Sequence, residues 1–121
     1  MADSHLLGQK GEDLAADHLK SKGYTILHRN WKSGKREIDI VAENRDFIVF
    51  VEVKTRSVDY RTDPRLAITR EKQRSLEYAA EGYIQRYNIN KEARFDMVIV
   101  ISGGKSVELE HIEYAFYPTL K

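Results

Sequence analysis

Two short apolar runs constrain the fold of this chain more than any other feature of its sequence. Phe47–Val51 and Phe95–Ile101 are rich in β-branched and aromatic residues, and neither alternates regularly between polar and apolar positions. A strand that is apolar on both faces must be covered on both sides, so each run predicts an interior strand. Between them, Thr69 can cap a helix running to about Tyr87, and this strand–helix–strand unit predicts a right-handed crossover joining parallel neighbours.

Weaker patterns define the remaining elements. Apolar residues at helical spacing predict a first helix over about residues 5–22, and β-forming residues predict strands over 24–31, 37–43 and roughly 107–112. There is no repeat, low-complexity stretch or flexible linker, so residues 1–121 are expected to form a single domain. The predicted fold class is therefore α/β, with an αβββαββ core in which helices flank a mixed five-stranded sheet.

Composition excludes several classes of function. The 121 residues contain no cysteine, which excludes a disulfide framework, thiol chemistry and Cys-ligated zinc. No apolar run approaches the ~20 residues of a membrane helix and the first residues are not a signal peptide, so a cytoplasmic protein without a membrane partner is expected. The net charge of +1 is small, but residues 54–74 hold seven basic and three acidic residues. Such a segment is compatible with phosphate contacts and equally with a solvated surface.

Charged residues at the end of a buried strand indicate a site. Glu52 and Lys54 are two residues apart and so project from one face of the strand that begins at Phe47. A reversal at residues 44–46 places Asp39, on the preceding strand, opposite residue 51 or 52. Asp39 and Glu52 are therefore expected to be cross-strand neighbours. Two carboxylates that close repel each other unless a cation or a shared proton compensates.

Oxygen ligands without cysteine favour a hard divalent cation, Mg²⁺ or Mn²⁺. In that interpretation Asp39, Glu52 and the backbone carbonyl of Val53 hold the metal, and Lys54 stabilises developing negative charge or orients the attacking water. The alternative is a structural salt bridge between Lys54 and one of the two carboxylates. Both interpretations remain open on the sequence.

Two helical residues are candidates for completing this site. Glu12 lies beside the apolar stripe of the first helix, next to Gly11 and one turn after Gly8, and helical glycines suggest that another backbone approaches closely. Glu12 is either a third carboxylate that reaches the metal through water or an ordinary exposed residue. Gln73 continues the buried stripe of the second helix, where it contacts the site or serves as a cap.

The residues around the first hairpin suggest a phosphate-binding surface. Residues 29–32 precede a turn that carries Lys35 and Arg36, although Trp31 is better interpreted as a half-buried anchor. The basic residues proposed as nucleic-acid contacts are Arg29, Lys32, Arg36, Arg56, Arg61, Arg65 and Lys72. Asp96 either orients a basic neighbour or forms an ion pair with Arg94 or Arg29. The four histidines have no ligand spacing and are expected at the surface or in the core.

Several of these motifs occur in one order that resembles a known family. They are Gly8-Gln9-x-Gly11-Glu12-x-x-Ala15, Arg29-Asn30-Trp31, Glu37–Ala42, Phe50–Arg56, Lys72-Gln73 and Arg94-Phe95-Asp96. The pattern covers nearly the whole chain and resembles the uncharacterised bacterial YraN-like family of the restriction-endonuclease-like PD-(D/E)xK superfamily, which is similar to archaeal Holliday junction resolvases. The resemblance implies a restriction-endonuclease-like core, with Glu12, Asp39, Glu52 and Lys54 as the nuclease residues and Gln73 beside them.

The functional hypothesis that follows is a Mg²⁺- or Mn²⁺-dependent endonuclease that hydrolyses phosphodiester bonds in branched or otherwise structured DNA. Because resolvases act as dimers to cut two strands, the resemblance also implies a homodimer. One alternative is a nucleic-acid-binding accessory protein of DNA processing or uptake that cuts nothing. Another is a protein-interaction domain that uses its last strand as a sheet edge.

Overall fold

The computed structural model describes residues 4–57, 68–102 and 106–118. The elements in chain order are α1 (Ser4–Ser21), β1 (Thr25–Ser33), β2 (Arg36–Glu43), β3 (Phe47–Ser57), α2 (Arg70–Arg86), β4 (Glu92–Ser102) and β5 (Glu108–Phe116). The strands form one sheet of order β1-β2-β3-β4-β5, in which β3 and β4 are parallel and the other pairs are antiparallel. The predicted αβββαββ order and mixed five-stranded sheet are confirmed, and they are consistent with a restriction-endonuclease-like core.

The central strand β3 is buried on both faces, as its continuous apolar run predicts. Val49 and Val51 belong to the core layer beneath α1, whereas Ile48 and Phe50 belong to the layer beneath α2. Successive side chains of a strand point to opposite faces, so a strand covered by helices on both sides must be apolar throughout. The polar residues that follow Val51 therefore continue the central strand of the sheet.

Local signals set the helix ends. The hydroxyl of Thr69 accepts a hydrogen bond from the backbone N–H of Lys72 at 3.1 Å, which confirms the predicted N-cap of α2. α1 ends before Gly23, whose φ of 95° is one that glycine adopts freely, and the N–H of Tyr24 closes the last turn onto the carbonyl of Leu19 at 3.0 Å. Neither described helix is both long and apolar enough to cross a bilayer.

Two strands are longer than the sequence pattern predicts. β3 continues through Ser57 because it stays paired with β4 as far as Ser102, although its last residues are polar. β5 runs to Phe116, which packs at the edge of the α2 layer and pairs with Phe95. Neighbouring strands thus extend elements that local composition alone would end. The predicted turn over residues 102–105 falls largely outside the described residues.

Gly11 allows α1 to lie unusually close to the sheet. A β-carbon built on Gly11 would be 2.5 Å from the hydroxyl oxygen of Thr55 on β3, far inside van der Waals contact. The close approach that a glycine within the helix suggests is therefore one between the helix and side chains of the sheet. It places the middle of α1 against the polar end of β3.

We expect Gly11→Ala to lower the free energy of unfolding in the wild-type protein and to raise it in a Thr55→Ala background. Alanine is favoured over glycine in a helix by about 1 kcal/mol, whereas overfilling a packed contact costs about 1–3 kcal/mol. Thr55→Ala removes the crowding hydroxyl, so in that background only the higher helix propensity of alanine affects the free energy of unfolding. Urea denaturation of the four proteins of this double-mutant cycle provides the test, and an equal effect of Gly11→Ala in both backgrounds would contradict the contact.

Candidate active site

Asp39 and Glu52 lie next to each other where β2 and β3 separate. The β2–β3 ladder ends at the pair Ile40–Val51, so the next positions along the same register are Asp39 and Glu52. Beyond that point Oδ2 of Asp39 accepts a hydrogen bond from the backbone N–H of Val53 at 2.9 Å, taking the place of a strand partner. The predicted cross-strand placement of the two carboxylates agrees with this register.

The facing of β2 changes at Asp39. Ile38 packs in the α2 layer and Ile40 in the α1 layer, although residues two apart in a regular strand share a face. In β1, Arg29 pairs with Ile40 and Trp31 pairs with Ile38, so Asn30 is the position facing Asp39. Asn30 has a φ of 53°, in the left-handed region. In both strands, therefore, the side chains switch from one face of the sheet to the other, at Asn30 in β1 and at Asp39 in β2. The Asp39 carboxylate is directed toward the backbone of β3.

Glu52 is buried and only partly satisfied. It is 5% exposed, and Nζ of Lys54 lies 3.2 Å from its Oε2. Among the described residues, its other oxygen, Oε1, is buried without a hydrogen bond, and Nζ of Lys72 lies 3.8 Å from it. The Glu52–Lys54 contact is the salt bridge that the structural alternative predicts. Oε1, by contrast, is a buried oxygen to which no described residue donates a hydrogen bond.

The surroundings of Asp39 disfavour its charged form. The pKa of Asp39 is raised to about 7, mainly by burial and also by the negative charges of Glu52 and Glu12, while the Val53 N–H and the charge of Lys72 act in the opposite direction. Among the described residues, the charge of Lys72 does not offset the effect of burial and of the two carboxylates on Asp39. A cation bound between Asp39 and Glu52 would supply further positive charge.

Glu12 is connected to this site through β1. Its side chain is 16% exposed, and Oε1 accepts hydrogen bonds from Nδ2 of Asn30 at 3.0 Å and from Nη2 of Arg29 at 3.4 Å. The same Arg29 nitrogen makes a much shorter contact with Asp13, at 2.6 Å. Glu12 is therefore not an ordinary exposed carboxylate, and its charge acts on Asp39.

Gln73 contacts the segment that leads into α2. Its Nε2 donates to the backbone carbonyl of Ile68 at 3.3 Å. An N-terminal cap accepts a hydrogen bond from a free backbone N–H, as Thr69 does, so this contact is not a capping bond and the place of Gln73 beside the site stays a prediction. The neighbouring Lys72, which the sequence suggests as a nucleic-acid contact, is the residue of this turn that reaches Glu52.

The other predicted nucleic-acid contacts are dispersed around the site. Lys32 and Arg36 are exposed on the β1–β2 hairpin, where the Arg36 guanidinium lies 4.8 Å from the ring centre of Tyr78 on α2. Nη1 of Arg56 donates to the carbonyl of Thr55 at 3.0 Å. Of the remaining three, Arg29 pairs with Glu12 and Asp13, and Arg61 and Arg65 lie outside the described residues.

The donor set fits a hard cation that is incompletely enclosed by protein. Across residues 4–57, 68–102 and 106–118, no three His, Cys, Asp or Glu side chains are grouped closely enough to form a complete metal centre. Mg²⁺ is typically held by only one or two carboxylates and completes its shell with water and substrate phosphates. Asp39 and the unpartnered oxygen of Glu52 supply that number of carboxylates, and the backbone carbonyl of Val53 stays a predicted third ligand.

A second buried polar cluster lies on the α1 side of the sheet. Asp96 accepts hydrogen bonds from Nε of Arg94 at 2.9 Å, from Nη2 of Arg94 at 2.8 Å and at 2.7 Å from Nε2 of His111, and Arg94 also donates to the hydroxyl of Tyr24. Burial raises the pKa of Asp96, but the hydrogen bonds from His111 and Arg94 outweigh burial and lower it. The structural ion pair between Asp96 and Arg94 is confirmed, and His111 is a core residue.

Comparisons with known proteins agree on one family. The model of a family described as "Uncharacterised protein family UPF0102" matches residues 11–100. A UPF0102 protein of Bacteroides fragilis is 44% identical over 120 residues, which cover 99% of each chain. A UPF0102 protein of Phocaeicola vulgatus is 39% identical over 120 residues with the same coverage. One of Nitratidesulfovibrio vulgaris is 43% identical over 113 residues, which cover 93% of this chain and 84% of the relative. These descriptions name a family and no activity.

Proposed function

We propose that this chain, which belongs to the YraN-like protein family UPF0102, is a divalent-metal-dependent endonuclease that hydrolyses phosphodiester bonds in DNA, with branched molecules as the first substrates to examine. The observation that carries the proposal is the convergence of Asp39 and Glu52 where β2 and β3 separate, with Nζ of Lys54 at 3.2 Å from Glu52. This placement agrees with the Asp…Glu-x-Lys pattern through which the sequence resembles the PD-(D/E)xK superfamily.

The charges of the site support cation binding. Glu12, Asp39 and Glu52 bring three carboxylates, of which Glu52 faces Lys54 and Lys72 and Glu12 faces Arg29. The pKa of Asp39 is raised to about 7, first by burial and then by the charges of the two other carboxylates, so a cation bound beside Asp39 would stabilise its charged form. Mg²⁺ or Mn²⁺ would be held by Asp39, Glu52 and the Val53 carbonyl, with Glu12 supporting through water. Once bound, the ion supplies Lewis-acid activation of the phosphodiester and of water.

The basic side chains of the site have different proposed roles. The Lys54 ammonium, fixed beside Glu52, is placed to stabilise negative charge that develops on the phosphate during hydrolysis. Lys72 is 40% exposed in its side chain and also faces Glu52, so it is placed to bind a neighbouring phosphate. Lys32 and Arg36 on the exposed hairpin provide further phosphate contacts.

The test is a cleavage assay on labelled four-way, flapped and linear DNA with Mg²⁺, with Mn²⁺ and with chelator. We expect cleavage that requires metal and that Asp39→Asn and Glu52→Gln abolish. Glu37→Gln serves as the matched control, because Glu37 is an exposed carboxylate of the same strand as Asp39. That variant should cleave as the wild type does, which separates loss of the site from loss of surface charge.

Failure to cleave any of these DNAs with either metal, or cleavage that survives in Asp39→Asn, would contradict the proposal. Salt-sensitive DNA binding that persists in Glu52→Gln without any cleavage would instead favour a non-catalytic DNA-binding protein.

A further inference from the structure

Asn30 occupies the point at which β1 reverses its facing. Arg29 contacts Glu12 and Asp13 of α1, whereas Trp31, two residues later, packs edge-on against Tyr83 of α2. Residues at this spacing would share a face in a regular strand. The φ of 53° at Asn30 produces the reversal. Asparagine is among the non-glycine residues that adopt this left-handed conformation most readily.

The Asn30 side chain uses this conformation to hold Glu12. Nδ2 of Asn30 donates to Oε1 of Glu12 at 3.0 Å. Arg29 reaches the same oxygen only at 3.4 Å and makes its short contact, 2.6 Å, with Asp13. The Asn30 contact therefore lies within the usual range of an N–H···O hydrogen bond, whereas the Arg29 contact with Glu12 is longer than that range.

The same position brings Glu12 to the candidate metal site. Asn30 lies between the pairs Arg29–Ile40 and Trp31–Ile38, which places it across the β1–β2 ladder from Asp39. A carboxylate held by Asn30 is thereby held beside the strand position that neighbours Asp39.

We infer that Asn30 is a positioning residue that keeps Glu12 directed toward Asp39, so that a third carboxylate supports a divalent cation. This inference rests on the proposed function, because it assigns Asn30 a role at the same site. Its amide acts through Glu12 and touches neither the metal nor the substrate. Residues that orient metal ligands in this way typically change metal affinity about 10- to 100-fold when they are replaced.

Two replacements separate the side chain from the backbone. Asn30→Gly removes the amide and retains free access to a positive φ, whereas Asn30→Ala removes the amide and strains the backbone. We expect both variants to bind Mn²⁺ about tenfold more weakly than the wild type, as measured by isothermal titration calorimetry. Only Asn30→Ala should lower the urea midpoint clearly. If Asn30 had only a structural role, Asn30→Ala would lose more Mn²⁺ affinity than Asn30→Gly, because Asn30→Ala is the less stable variant.

A double-mutant cycle with Glu12→Gln completes the test. Once Glu12 has lost its charge, Asn30→Gly should cause little further loss of Mn²⁺ affinity. Wild-type affinity in Asn30→Gly, or the same loss in the presence and absence of the Glu12 charge, would overturn the positioning role while leaving the metal site standing. Absence of Mn²⁺ binding by the wild-type protein would overturn the proposed function and this inference together, so the two failures are distinguishable.

Discussion

Replacing Asp96 with alanine is expected to lower the free energy of unfolding by about 3–5 kcal/mol, the usual cost of removing one partner from a buried ion pair. The Arg94 side chain is 4% exposed and its guanidinium makes two hydrogen bonds to Asp96, at 2.8 and 2.9 Å. Without the carboxylate, Arg94 would be a buried cation left with the Tyr24 hydroxyl and with a 3.9 Å contact to the exposed carboxylate of Glu113. Chemical denaturation at neutral pH measures the loss.

Asp13→Ala provides the matched control for this prediction. It breaks the Arg29–Asp13 pair, which at 2.6 Å is shorter than the Arg94–Asp96 contact but is exposed, with side chains 35% and 57% accessible. Exposed pairs contribute about 0–1 kcal/mol, so this variant should be almost as stable as the wild type. Equal losses in the two variants would show that burial is not what makes Asp96 important.

The Asp96 contribution also has a defined dependence on pH. Because the folded-state pKa of Asp96 is lowered, the carboxylate stabilises the protein fully above the unfolded value of about 3.9. The contribution is lost as the pH falls through the folded-state pKa. The stability difference between the wild type and Asp96→Ala should therefore be constant near neutrality and narrow in acid.

The second large effect is expected at Lys54. Lys54→Met should reduce the rate of metal-dependent DNA cleavage by about 10²–10³, the usual effect of removing one electrostatic donor to a transition state. Methionine retains the length of the aliphatic stem, so the change is mainly loss of the ammonium group that lies 3.2 Å from Glu52. Single-turnover cleavage at saturating enzyme isolates the chemical step from DNA binding.

Lys72→Met is the matched control for Lys54→Met. Both lysines face Glu52, at 3.2 and 3.8 Å, so each substitution removes one cation from the same carboxylate. If Lys72 binds a phosphate, its loss should weaken DNA binding at all sequences and reduce the salt dependence by about one counterion, with the single-turnover rate largely retained. A similar rate loss in both variants would indicate that the lysines act only by balancing the charge of Glu52.

Much of the fold could be predicted from local patterns. The doubly apolar runs Phe47–Val51 and Phe95–Ile101 predict interior strands because only a strand covered on both sides is apolar on both faces. Thr69 predicts the start of α2 because its hydroxyl satisfies a free N–H of the first turn. Counting residues around the 44–46 turn is enough to place Asp39 beside Glu52. Each of these inferences uses residues that are near in sequence or a periodicity along one element.

The remaining features depend on contacts between elements that are distant in sequence. Asn30 contacts Glu12, for which the sequence leaves two interpretations open, and Lys72 reaches Glu52 from α2, although the sequence suggests Lys72 only as a nucleic-acid contact. Asn30 was visible in the Arg29-Asn30-Trp31 motif, and an asparagine inside a strand pattern is the signal that could have indicated a positive φ.

The sequence by itself determined the order of the elements, the interior strands and the pair of adjacent carboxylates, because hydrophobic period and turn length act locally. Only the tertiary structure decided which polar groups of different layers meet: Asn30 with Glu12, and Lys72 with Glu52. The physical reason is that these contacts follow from helix placement on the sheet and from the reversal of facing at Asn30 and Asp39. Helix placement and this reversal both arise from packing of the whole core, and neither produces a periodic pattern in the sequence.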